Sequence, residues 1–178
     1  MEAINKLENN DILVDTAHLS RRSFWRLVKH TKLAIYNSHA NIYSLCRNKR
    51  NLTNKQIQAI VDSGGYLGIT LNRDFVLSRT KQKINGFTAK DIALQFDYLI
   101  KNFGYHNFGF GTDFYGIDET KLPIDIRTYS DLKLVATELK KLGYSNKVIK
   151  HIFYKNFENF TKNIKKLKKY SKIKINSN

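Results

Sequence analysis

Four short apolar runs rich in β-forming residues punctuate the chain: Ile12-Leu13-Val14, Leu33-Ala34-Ile35-Tyr36, Tyr66-Leu67-Gly68-Ile69 and Phe108-Gly109-Phe110. Their alternation with segments of helical spacing restricts the fold more than any other feature. Ile57, Ile60 and Val61 predict one helical stripe, and Ile92, Phe96, Leu99 and Ile100 a second. Leu132, Val135, Leu139 and Leu142 predict a third, and Val148, Ile149, Ile152 and Phe153 a fourth. Strands separated by helices in this order imply right-handed βαβ units and a parallel sheet, so the expected class is α/β. Gly64-Gly65 and Gly143 fall where helices should stop, and the single proline, Pro123, lies in a polar stretch after the last apolar run.

The 178 residues, 42% hydrophobic and 12% aromatic, suffice for one domain with a core but not for two. The single cysteine, Cys46, excludes an intrachain disulfide and suits a reducing compartment. The first residues show no basic stretch leading into an apolar run, and no apolar segment reaches membrane-spanning length. A soluble, cytoplasmic protein is the expectation.

A formal charge of +16 raises the question of nucleic acid or an anionic surface, but its placement argues against a built site. Lys162 to Lys174 hold seven lysines and no acid, so this tail carries +7 of the total. Lysines outnumber arginines 23 to 8, whereas phosphate recognition favours the arginine fork. Nucleic-acid binding is therefore not expected of the domain. A basic module that uses the domain only to carry its tail is a separate reading, which predicts salt-sensitive binding lost on removal of residues 162–178.

Polar residues collect just past the expected strands: Asp15 and His18 after the first, His39 after the second, Asp113 after the fourth. This is the edge where parallel α/β proteins build sites, because the loops there converge. Two imidazoles and a carboxylate are donors that zinc accepts, although a lone histidine near a strand end is more often a hydrogen-bonded structural residue than a ligand.

The words around these residues carry a resemblance. Asp15-Thr16-Ala17-His18-Leu19-Ser20, Ser38-His39 lying 21 residues beyond His18, Cys46-Arg47-Asn48-Lys49-Arg50-Asn51-Leu52, and Gly109-Phe110-Gly111-Thr112-Asp113-Phe114-Tyr115-Gly116 occur in the order of four segments of the membrane (renal-type) dipeptidases. Over about residues 5 to 160 the chain resembles the C-terminal half of such an enzyme. The resemblance implies about four strand-helix units of a TIM-type (β/α)8 barrel, incomplete on its own, followed by the lysine-rich tail at 161–178. It implies that His18 and His39 are ligands of the second of two zinc ions. Arg50 would pair with the terminal carboxylate of a dipeptide, and Asp113 would transfer protons at the scissile bond.

The departures set a limit. The family's H-x-D pair, bridging glutamate and a further substrate-binding histidine lie upstream of the segment that this chain resembles, and none of its five histidines is followed two positions on by aspartate. Tyr115 stands where the family has a second acid, Ala40 where it has serine, and the N-F-L-R ending reads Asn156-Phe157-Glu158-Asn159. At most an incomplete second site is expected, with no activity in the chain alone. Half a barrel has two open sheet edges, which predicts a separate N-terminal half-barrel chain as partner, or self-association. Zinc-dependent dipeptide hydrolysis by a complemented fragment and a non-catalytic remnant of a truncated gene are both compatible with these residues.

Elsewhere the structural readings are favoured. The glycines of residues 109–116 do not have dinucleotide-binding spacing, and Cys46 lacks the setting of an activated nucleophile. His30, His106 and His151 carry no motif. Arg21, Arg22 and Arg26 read as a solvated helix face, and Phe24 and Trp25 as core.

Overall fold

The computed structural model describes residues 2–10, 12–78, 80 and 86–164. Three parallel strands, β1 (Tyr36–Ala40), β2 (Tyr66–Ile69) and β3 (Phe108–Phe110), form a sheet in sequential order. Helices α1 (Glu2–Asn9) and α2 (Arg21–His30) precede it, α3 (Asn54–Asp62) joins β1 to β2, and α4 (Arg73–Val76) and α5 (Ala89–Phe103) lie between β2 and β3. After β3 come α6 (Lys133–Lys141) and α7 (Asn146–Lys150), which runs through a π turn at His151–Lys155 into a helix at 156–164.

The helices start and stop where local chemistry dictates. Thr53 and Gln56 close a capping box on α3, Asp91 accepts from the Thr88 N–H at the start of α5, and Ser145 caps α7. α3 and α6 run out at Gly64 and Gly143, whose φ angles of 66° and 89° suit a residue without a Cβ. The predicted stripes face the core: Ile57, Ile60, Ile92, Phe96, Leu99, Val135 and Leu139 are all buried.

The register pairs Leu67 with Phe108 and Ile69 with Phe110, so strand alternation sends these to one face, where Phe110 packs edge-on against Phe96 at 5.1 Å and against Phe153 at 5.0 Å. The paired Tyr36 and Tyr66 belong to the other face, where Phe157 and Phe160 of helix 156–164 cover them. The last helix runs on past the predicted Val148–Phe153 stripe to residue 164, and this continuation buries Phe160 on those tyrosines.

Two of the four expected strands differ. Ile12-Leu13-Val14 is not a strand: the Ile12 N–H bonds back to Leu7 of α1, leaving a single parallel bridge between Asp15 and Tyr36. The second strand begins at Tyr36 instead of Leu33, because the Ile35 N–H is taken by the Ser63 hydroxyl. The third and fourth fall as expected. Trp25, expected in the core, is 41% exposed, because the neighbouring turn positions Phe24 and Leu27 supply the inward face of α2. Most of the lysine-rich tail, residues 165–178, lies outside the described residues. No described helix is long and apolar enough to cross a membrane.

Candidate metal and substrate site

His18 follows the Asp15 bridge, His39 is the penultimate residue of β1, and Asp113 comes three residues after β3. All three thus sit at the carboxyl end of the parallel strands, and the loop between β1 and α3 brings Arg50 over them. The Nε2 atoms of His18 and His39 are 3.1 Å apart, with ring planes inclined at 67°. Arg50 Nη1 lies 2.5 Å from His18 Nδ1, and Arg50 Nη2 is 3.4 Å from the Nε2 atom of each histidine. Asp113 Oδ2 is 3.9 Å from His39 Nε2. Four residues singled out from the sequence therefore meet at one mouth.

The supports are local. Asn48 holds the Arg50 loop by accepting from the Arg50 N–H and donating to the Asp74 carbonyl, while Asn51 donates to Cys46 and Phe75. The Arg50 guanidinium stands 5.8 Å from the centre of the Phe75 ring, and its Nε is buried with no hydrogen-bond partner among the described residues. Asp113 has a φ of 57°, a left-handed conformation uncommon for a residue with a Cβ. A Cβ on Gly116 would come within 2.2 Å of Asp113 Oδ1, so glycine there is what lets the carboxylate fold back. At the strand ends, a Cβ on Gly68 or Gly111 would strike the Ser38 carbonyl, at 2.1 and 1.8 Å.

Burial, the largest influence, holds the His39 imidazole below its usual pKa; Asp113 and Asp15 oppose this, and His18 and Arg50 reinforce it. A neutral imidazole is the form a metal ion accepts. Two nitrogens on one tetrahedral zinc ion are about 3.3 Å apart, so the histidine pair fits two corners of such an ion. It does not complete one: among the described residues no cluster of three or more histidine, cysteine, aspartate or glutamate side chains is disposed to hold a metal.

Other sequence candidates lie elsewhere. Cys46 is buried against the Asp74 carbonyl, and burial raises its thiol pKa, the opposite of an activated nucleophile. His106 and His151 pack together just before β3, at the far end of that strand from Asp113. Arg21, Arg22 and Arg26 are exposed, as expected. Tyr115, in place of the family's second acid, is 95% exposed, and Ala40 is buried at the end of β1. Reasoning from motifs assigned no role to Ser38 or Gly116, although both stand inside the quoted segments; their contacts arise only when separate strands meet.

The sequence pattern of the membrane dipeptidases, peptidase family M19, matches residues 1–174. A Klebsiella pneumoniae protein of uncharacterized function is 27% identical over 164 residues, 92% of this chain and 59% of its own length. An uncharacterized dipeptidase of Schizosaccharomyces pombe is 27% identical over 133 residues, 74% of this chain and 31% of its own. The structure superposes with a TM-score of 0.80, at 20% identity, on a Rhodobacter sphaeroides metallopeptidase bound to a phosphinate mimic of L-Ala-D-Ala, covering 89% of this chain and 44% of that one. The chain thus spans between 31% and 59% of the length of these relatives. With residues 1–174 matched and an α/β fold shared with metallopeptidases of this kind, the chain belongs to the membrane dipeptidase family, peptidase family M19.

Proposed function

We propose that this chain forms the C-terminal half of a (β/α)8-barrel dipeptidase site, and that it serves zinc-dependent hydrolysis of dipeptides once an N-terminal half supplies the remaining ligands. The observation that carries this reading is the convergence of His18, His39, Arg50 and Asp113 at one strand-end mouth. The three-stranded sheet corresponds on this reading to an arc of the barrel, completed by a separate chain or a preceding segment. His18 and His39 would hold one zinc ion, which supplies Lewis acidity at the scissile carbonyl.

The residues of this chain then have distinct tasks. The unpartnered Nε of Arg50, beside an Nη group, matches the two oxygens of a dipeptide's terminal carboxylate. Asp113, held by its left-handed backbone and by Gly116, carries a proton towards the departing amine. The chain alone, with two of the required metal donors, is inactive on this reading, and it works in the cytoplasm.

The test is to purify the 178-residue chain alone and co-expressed with a polypeptide carrying the H-x-D pair and bridging glutamate of a related dipeptidase. Zinc content and hydrolysis of L-Ala-D-Ala are measured on both. Activity confined to the complex and abolished by His39→Ala is expected. A soluble, folded complex with neither zinc nor hydrolysis would sink the proposal, and a self-associated chain that hydrolyses the dipeptide unaided would replace it.

A further inference from the structure

The hydrogen bonds around His39 extend one layer beyond the mouth. Asp15 Oδ1 accepts from two backbone N–H groups, those of Ala17 and Ser38, each at 3.0 Å. Asp15 Oδ2 lies 2.5 Å from Ser38 Oγ, and Ser38 Oγ lies 2.8 Å from His39 Nδ1. We propose that Asp15 is a positioning residue which, through the Ser38 hydroxyl, fixes His39 in the tautomer protonated on Nδ1, leaving the Nε2 lone pair facing the mouth.

An ionised carboxylate only accepts, so the single hydroxyl hydrogen of Ser38 is committed to Asp15. Ser38 Oγ can then meet His39 Nδ1 only as an acceptor, and Nδ1 must carry the ring proton. The other end of the network agrees. Arg50 can only donate, and its shorter contact, Nη1 to His18 Nδ1 at 2.5 Å against 3.4 Å for Nη2 to His18 Nε2, places the His18 proton on Nε2 in the metal-free chain, pointing at His39 Nε2; zinc bound at His18 Nε2 would displace that proton. With a donor-only group at one end and an acceptor-only group at the other, the links from Arg50 Nη1 through His18, His39 and Ser38 to Asp15 each have one direction. A metal-ligating imidazole is typically oriented by a partner on its second nitrogen in this way. The chemical meaning of an Nε2 lone pair rests on the reading of His39 as a zinc ligand; the tautomer itself does not.

Asp15→Asn predicts an inversion. The two backbone donors keep the amide oxygen at the Oδ1 position, so the amide nitrogen faces Ser38 Oγ and donates to it. The hydroxyl hydrogen then turns to His39 Nδ1, and the ring proton moves to Nε2. Replacement of the aspartate by asparagine in a Ser-His-Asp triad selects the wrong histidine tautomer by the same logic.

The experiment is a long-range proton–nitrogen correlation spectrum of the full chain labelled with [15N]histidine, at a pH where imidazoles are neutral, with His39 assigned from His39→Gln. The wild type is expected predominantly in the Nδ1–H form, Asp15→Asn predominantly in the Nε2–H form, and Ser38→Ala without the wild-type preference. Ser38→Thr, which keeps the hydroxyl, should restore it. Ser38→Ala leaves the backbone bonds to Asp15 in place and carries the test if Asp15→Asn fails to fold. Nδ1–H retained in both Asp15→Asn and Ser38→Ala, or Nε2–H in the wild type, overturns the proposal. Zinc added to the same samples should perturb His39 Nε2 in the wild type, with affinity falling about 10- to 100-fold in Asp15→Asn. The tautomer inversion without any effect of zinc would uphold the positioning role and overturn the ligand reading on which its purpose rests.

Discussion

Gly111→Ala should be among the most damaging single-methyl additions to this protein, and the structure says by how much. An ideal Cβ at Gly111 falls 1.8 Å from the Ser38 carbonyl oxygen, 2.9 Å from its carbon and 3.0 Å from Gly68 Cα. Tolerable carbon–oxygen contacts begin near about 3.3 Å, so the backbones must part by about 1.5 Å. No flexible side chain can yield, since all three obstructing atoms are backbone. The Gly111 N–H bond to the Ile69 carbonyl, 3.0 Å long, stretches with them. Overpacking of a core commonly costs about 1–3 kcal/mol, and the added ladder damage places this substitution at about 3 kcal/mol or above. Gly64→Ala is the control: nothing lies within 4 Å of its Cβ, and only its φ of 66° penalises alanine, by about 1–2 kcal/mol. Urea unfolding followed by circular dichroism measures both. The displacement also moves Ser38, whose N–H and hydroxyl are tied to Asp15, so the His39 resonances should shift in Gly111→Ala and hold still in Gly64→Ala. A loss in Gly111→Ala no larger than in Gly64→Ala would refute the close approach of the three strand ends.

Gly116→Ala places a Cβ within 2.2 Å of Asp113 Oδ1; in the complemented enzyme kcat should fall about 100-fold, as for other small misplacements of a reacting group, while zinc content is unchanged. Asn156→Ala removes the side chain that donates to the Tyr105 and Phe108 carbonyls and meets His151 Nδ1 at 2.8 Å. A loss of about 2 kcal/mol in thermal unfolding is expected, from buried carbonyls left without donors. Partial desolvation, and then His151 and Lys147, hold His106 below its ordinary pKa. The unfolded chain thus binds the extra proton between that lowered value and about 6.5, so this contribution to stability is complete above about pH 6.5 and declines as pH falls through the window. A series of thermal midpoints from alkaline to mildly acidic pH should show this slope in the wild type and a flatter one in His106→Asn; a wild-type midpoint that rises on acidification contradicts it.

The alternation of periods in the sequence determined the α/β class, the parallel order and the inward faces of α3, α5 and α6, because burial of a stripe or an alternating face is a local property of residue spacing. The same spacing, with the quoted motifs, brought His18, His39, Arg50 and Asp113 forward as site residues. Tertiary structure decided what spacing does not encode. Ile12-Leu13-Val14 has the composition of a strand, yet α1 takes the Ile12 N–H and only Asp15 reaches the sheet. Phe24 and Trp25 are neighbours of equal apolar promise, and only the rotation of α2 against the core chose between them. The roles of Ser38, Gly68, Gly111 and Gly116 depend on backbones that approach within contact distance across 3 to 73 residues of sequence. Hydrogen-bond direction and close packing are properties of residues distant in the chain, so they exist only once the strands have been laid side by side.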